Sequence, residues 1–228
     1  MFFDTNYLIM VFLPTLIISG LAQFYLRNVY KKWSNIANGN RYLGAETARR
    51  IMQVTNVNNV MLETTPQDLG DHYDPTSHTV RMSPGVAGRD SVASMAIVAH
   101  ELGHAQQHQD GSPLIAARNF LLPAVQFSPT LSYALIFAGL IFNFAGLAWL
   151  GVGVFALSVG FMILTLPVEF DASIRGLKLL RQSGLIQTEQ DQKGARQVLT
   201  AAAFTYIAAA ITSVLTLLYY ASLVSRRD

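Results

Sequence analysis

Hydrophobic positions along the chain gather into long charge-free blocks separated by polar stretches, and the block lengths predict helices that cross a membrane. Residues 7 to 26 carry no charged side chain, which matches the roughly 20 residues a helix needs to span the hydrocarbon core. No basic residue precedes this block and no Ala-x-Ala site closes it, so it reads as a retained span rather than a cleaved signal. Residues 129 to 167 are also free of charge. That block is close to twice the minimum span and is punctuated by Gly146, Gly151 and Gly153, so it predicts two helices joined by a tight turn. Residues 201 to 224 supply a fourth span.

The stretch from 31 to about 113 has a different grain. Residues 46–54 alternate as a short amphipathic helix, 59–63 and Thr79–Met82 as short strands, and Ser83, Pro84 and Gly85 as a turn. Asp90 or Ser91 can then cap a helix carrying Val92, Met95, Ala96 and Ala99. That helix runs to about Gln109, where Asp110, Gly111 and Pro113 end it. Further on, residues 114–127 form an apolar segment with Arg118, broken by Pro123, that suits a packed interfacial helix or a lid. Thr188 followed by Asp191 three residues later resembles a helix cap leading into the last span.

Composition sharpens this picture. Of 228 residues, 51% are hydrophobic and only 13% charged, and the mean hydropathy is +0.33, which excludes a disordered chain and an ordinary soluble domain. There is no cysteine, so disulfides, thiolate nucleophiles and cysteine metal sites are excluded and any metal must use His, Asp or Glu. The net charge of +2, from 16 basic and 14 acidic residues, gives no reason to expect nucleic acid as a partner. The partner the apolar blocks imply is a lipid bilayer. Arg27, Lys31 and Lys32 follow the first block, Arg175, Lys178 and Arg181 follow the third span, and Lys193 and Arg196 precede the fourth. Both polar regions therefore read as cytoplasmic, with Arg226 and Arg227 counting the other way.

The expected helix from Ser91 holds His100-Glu101-Leu102-Gly103-His104, an instance of HExxH. Side chains at i and i+4 share a helix face, so both imidazoles can reach one zinc ion, while Glu101, one residue on, faces the open coordination position. A water on zinc becomes acidic enough to lose its proton near neutral pH, and a neighbouring carboxylate can take that proton and return it to a leaving amine. This is the chemistry of gluzincin-type peptide hydrolysis. His108 continues the i+4 series, but a further turn moves it about 5.4 Å along the axis, too far to share the ion.

A third ligand must come from elsewhere. After Asp110 the next acidic residues are Glu169 and Asp171, directly beyond the third span. A ligand from position 169 can meet His100 only if the intervening chain crosses the membrane an even number of times, and the 129–167 block is sized for two crossings.

Four segments together carry a family resemblance. They are Asp71-His72-Tyr73-Asp74-Pro75, Val80-Arg81-Met82-Ser83, Ala99-His100-Glu101-Leu102-Gly103-His104-Ala105 and Pro167-Val168-Glu169-Phe170-Asp171-Ala172-Ser173. In this order, across nearly the whole chain, they resemble the YugP-type neutral zinc metallopeptidases of bacteria, distant cousins of the HtpX and CAAX-prenyl membrane proteases. The resemblance implies an integral-membrane zinc endopeptidase with His100, His104 and Glu169 as ligands and Glu101 as catalytic base. In the cousins an aspartate four residues after the ligand glutamate orients a zinc-bound histidine. Here that position is Ser173 and the acid is Asp171, so either Asp171 takes the orienting task or a backbone carbonyl does.

The expected fold is mainly α and integral to the membrane, with about four transmembrane helices and a small α+β zincin-like domain carrying the HExxH helix. The expected divisions are a first span in 1–30, the zincin-like domain in 31–128, a transmembrane hairpin in 129–167, a cytoplasmic segment with the third ligand in 168–200, and the last span and tail in 201–228. A multi-pass protein of the bacterial inner membrane follows, with its site on the cytoplasmic side. Zinc peptidases often hold substrate as an added strand on a sheet edge, and Thr79, Val80, Arg81 and Met82 are the expected edge. His72 and Tyr73, ahead of Arg175 and Tyr206, are the expected donors to an oxyanion. The competing function is a catalytically silent membrane scaffold or metal-binding protein with a structural zinc site, which would have no need for Glu101. A transporter is disfavoured because the spans are expected to hold no buried ionisable residue to mark a pathway.

Overall fold

The computed structural model describes residues 5–67 and 70–226, so Arg227 lies outside the described residues. The chain is mainly α-helical with a small sheet. In order come α1 (Thr5–Ser34), α2 (Gly44–Val54), β1 (Met61–Thr64), β2 (His72–Asp74), β3 (Thr79–Met82), the one-turn α3 (Pro84–Ala87), α4 (Val92–Gln109), α5 (Pro113–Ile141), α6 (Ala145–Gln182) and α7 (Glu189–Ser225). Four of these, α1, α5, α6 and α7, are long and apolar enough to cross a membrane. The chain divides into two compact units.

The polar unit contains Phe24–Ile115 and Val168–Ala203. Its core joins Trp33 and Val29 of α1, Ile51 of α2, Val80 and Met82 of β3, the apolar face of α4, Leu179 and Leu180 of α6, and Val198 and Leu199 of α7. Asp191 fastens the start of α7: its carboxylate accepts from the amides of Gly39 (3.0 Å), Gln187 (3.1 Å) and Thr188 (3.0 Å), and its own amide donates to the Thr188 hydroxyl at 3.0 Å. This is the reciprocal cap that the Thr188/Asp191 spacing predicts.

The sheet has the order β1-β3-β2. β3 pairs in parallel with β1, Met61 opposite Thr79, and antiparallel with β2, His72 opposite Arg81. Thr79–Met82 is therefore the central strand, which corrects the expectation that Thr79, Val80, Arg81 and Met82 form a free edge: a strand hydrogen-bonded on both sides has no main-chain groups left for a third partner. The edges are β1 and β2. The hairpin between β2 and β3 is locked by Asp74, which accepts from the amide of Thr76, the hydroxyl of Ser77 and the Arg81 guanidinium at 2.8–2.9 Å. Asp71 secures its open end, accepting from the Ser83 amide at 2.7 Å.

The apolar unit comprises Ala116–Pro167 with the described residues up to Gln23 and from Phe204. Within it α5 and α6 are joined by three residues, Phe142, Asn143 and Phe144. Asn143 supplies the left-handed residue (φ 51°) that closes α5, and the Phe144 amide donates to the Gly139 carbonyl at 2.8 Å. The turn thus precedes Gly146, Gly151 and Gly153, all of which lie inside α6. Gly151 packs helix on helix instead, since a Cβ there would lie 2.7 Å from the Ile136 backbone nitrogen. Residues 114–127 are not a separate broken segment; they are the opening turns of α5, which continues through Pro123 and Pro129.

Candidate metal centre

The Ser91 hydroxyl starts α4 by accepting from the Ser94 amide at 3.0 Å. Val92, Met95, Ala96, Ala99, Leu102 and Ala105 are fully buried along it, so the helix is held in the core over most of its circumference. One consequence is positional precision for His100 and His104, whose rings stand on one face with centroids 4.7 Å apart. The last part of α6 runs close against this helix at two glycines. A Cβ at Gly103 would lie 2.3 Å from the Ala172 carbonyl oxygen, and one at Gly176 would lie 2.8 Å from that of Ala99. Backbones this close leave no room for a side chain at either position, and the approach delivers Glu169, itself 3% exposed, to the two histidines.

The donor atoms converge. His100 Nε2 stands 3.2 Å and His104 Nε2 3.5 Å from Glu169 Oε2, and one ligand atom from each residue lies within 4.8 Å of the others. Two imidazole nitrogens and one carboxylate oxygen are the donor set of catalytic zinc sites that keep a fourth position open, so these residues fit zinc. Between His104 and Glu169 the chain carries α5 and the apolar length of α6, two helices long and apolar enough to cross a membrane.

Each imidazole is oriented from behind by a side chain. His100 Nδ1 is 3.2 Å from the Ser173 hydroxyl. His104 Nδ1 is 3.0 Å from Gln107 Oε1, and Gln107 Nε2 donates to the Val168 carbonyl at 2.9 Å and to Asp171 Oδ2 at 2.7 Å. Asp171 also accepts from Arg175 Nε at 2.7 Å, and Arg175 continues to Asp110. Asp171 and Ser173, the two residues expected behind the ligands, both lie there: Ser173 meets the His100 ring directly, and Asp171 reaches His104 through Gln107. Sequence reasoning missed Gln107. Its signal was position i+3 from His104, which puts it on the same helix face.

Glu101 is 8% exposed. Burial pushes its carboxyl above the usual carboxylate range; His100 and His104 oppose the rise, while the charges of Glu169 and Asp71 add to it. A carboxylate so placed holds a proton more readily than one in water.

The remaining predicted residues lie as follows. Tyr73 spends its hydroxyl on two imidazoles, His78 Nδ1 at 2.6 Å and His108 Nδ1 at 2.7 Å, and burial followed by the Asp74 charge pushes the phenol up to about 12. It ties β2 to α4 and is not a free donor. His108 thus serves this cluster, in keeping with its exclusion as a ligand. His72 is exposed on the edge strand with Nδ1 on the Gly70 carbonyl at 2.7 Å. Arg175 is committed to Asp171 and Asp110, and Tyr206 belongs to the apolar unit.

Residues 8–225 match the model of the family described as "Putative neutral zinc metallopeptidase". The chain is also 36% identical over 203 residues, 89% of its own length and 90% of the other's, to a protein of Bacillus subtilis (strain 168) named "Putative membrane protease YugP". No solved structure matches it.

Proposed function

The chain belongs to the neutral zinc metallopeptidase family, and from that premise we propose that it is a membrane-embedded, gluzincin-type endopeptidase. The observation that carries the reading is the convergence of His100, His104 and Glu169 with the buried Glu101 on the same helix. His100, His104 and Glu169 would hold a zinc ion, which would supply Lewis acidity to polarise a peptide carbonyl and to make water a nucleophile near neutral pH. Glu101 accepts the proton from the attacking water and returns it to the leaving amine; its burial favours the proton-bearing form that the return step needs. Ser173 and Gln107 keep the two rings aimed. Of the two expected oxyanion donors, His72 remains the one whose ring is open to solvent.

Substrate then binds as a strand added to β2 rather than to β3, because β2 is an edge and packs against α4. The charge distribution at the span ends supports a multi-pass protein of a bacterial inner membrane with both polar regions in the cytoplasm. Membrane-proximal or unfolded polypeptides are the substrates such a placement favours. A catalytically silent scaffold is the weaker reading, since a structural metal site needs no buried carboxylate beside it.

The test is Glu101→Gln in the purified full chain. It is expected to keep about one zinc per chain, as the three-ligand set of a catalytic site stays intact, and to lose casein or peptide cleavage by roughly 10²–10⁴-fold, the usual worth of a general base. Cleavage equal to that of the parent would remove Glu101 from the chemistry.

A further inference from the structure

We infer that Gln107 is a positioning residue that fixes the proton of His104 on Nδ1 and so leaves Nε2 as the metal-facing lone pair. This rests on the metal centre proposed above and adds to it a residue outside the ligand set.

An amide side chain can be placed either way round, and here its surroundings leave one choice. Gln107 is fully buried. One end of its amide faces the Val168 carbonyl at 2.9 Å and Asp171 Oδ2 at 2.7 Å. Both of those groups only accept, so that end must be the NH2 and the other must be the carbonyl oxygen. The carbonyl oxygen lies 3.0 Å from His104 Nδ1, and an oxygen that only accepts requires the proton on that ring nitrogen. In the neutral ring that binds a metal, His104 Nε2 then carries the lone pair, on the side facing Glu169 at 3.5 Å.

The choice is held from further away. Arg175 donates to the same Asp171 oxygen at 2.7 Å and is itself paired with Asp110. The chain Asp110–Arg175–Asp171–Gln107–His104 thus passes from the end of α4 to α6 and back to α4, the two elements that bring the ligands together. Its second amide proton, on the Val168 carbonyl, grips the residue directly before the ligand Glu169. One glutamine therefore sets the tautomer of one ligand and the position of another.

The test measures zinc affinity by chelator competition on the purified full chain, for the parent, Gln107→Ala, Gln107→Glu, and Gln106→Ala as a neighbouring control. Gln107→Ala is expected to weaken zinc binding by about 10–100-fold, as loss of an orienting partner does. Gln107→Glu is the discriminating variant. A carboxylate is the better acceptor for the His104 N–H, but it would confront the Val168 carbonyl and the Asp171 carboxylate with no proton to offer, so it too is expected to lose at least 10-fold, at the low end of that range. Parental affinity in Gln107→Glu would show that only the contact to His104 matters and would overturn the relay.

The parent alone supplies a second arm that needs no variant to fold. Nitrogen-15 spectra of the zinc-loaded, histidine-labelled protein are expected to show His104 protonated on Nδ1; a proton on Nε2 would overturn the inference. Neither readout involves substrate. A parent that binds zinc and cleaves nothing would sink the peptidase reading alone, and a parent that binds no zinc would sink both.

Discussion

Gly103→Ala puts the smallest possible wedge between the two elements that carry the metal ligands. The added methyl would sit 2.3 Å from the Ala172 carbonyl oxygen, 3.1 Å from its carbon and 3.3 Å from the Ala172 Cα. Ordinary contact distances are about 3.5 Å, so the backbones must part by about 1 Å. All three atoms met are backbone, so no side-chain rotation relieves the clash. Overpacking of this kind costs on the order of 1–3 kcal/mol of stability. The larger effect falls on the metal: ligand distances tolerate only about 0.2 Å, and Ala172 lies three residues beyond Glu169 on the same helix. Zinc affinity is therefore expected to drop by at least about 10-fold, the lower bound for disturbed metal sites. Gly85→Ala, where nothing lies within 4 Å of the new methyl, serves as the control and should leave zinc binding unchanged. The assay is chelator competition alongside thermal unfolding. A Gly103→Ala protein with parental zinc affinity and parental cleavage would refute the claim that close backbone contact sets the ligand geometry.

Two further outcomes concern the elements around the site. Asp74 is held well below the usual carboxylate range, chiefly by its hydrogen bond from Arg81 and then by Ser77 and Thr76; the folded chain binds fewer protons there than the unfolded one, so the hairpin's stability is present above the ordinary aspartate value and is lost as pH falls below it. Asp74→Asn should lower stability by about 1 kcal/mol near neutrality, as expected for a partly exposed ion pair, and should flatten that acid-side loss; an unchanged pH profile would contradict it. Ser91→Ala removes the cap of α4 and should cost about 1 kcal/mol in denaturant unfolding, whereas a variant as stable as the parent would show that the hydroxyl contributes nothing.

What could be read from sequence, and what could not, divides along physical lines. The four long apolar helices are legible because a helix able to cross lipid must be long and continuously apolar, a constraint that few other structures share. The α4 helix was legible from its cap, its apolar spacing and its terminator together. The place of Thr79–Met82 in the sheet was not, because a four-residue strand shows the same alternation at an edge and in the middle, and the flanking His72–Asp74 is too short to announce itself. Glycines mark a turn in sequence because they enter the left-handed region without cost, but Asn143 also adopts it and lies outside the glycine cluster. Gln107 reads in sequence as one more polar residue near a helix end. Only the arrival of Val168 and Asp171 from a segment about sixty residues away makes it an oriented amide.

The most direct test is zinc analysis of Glu169→Ala beside the parent after equal purification. If His100, His104 and Glu169 share one ion, the parent carries about one zinc per chain and the variant retains little, because two imidazoles alone leave the three-ligand set of such sites incomplete. Full zinc occupancy in Glu169→Ala would contradict a shared site, and with it the reason why α4 and α6 meet.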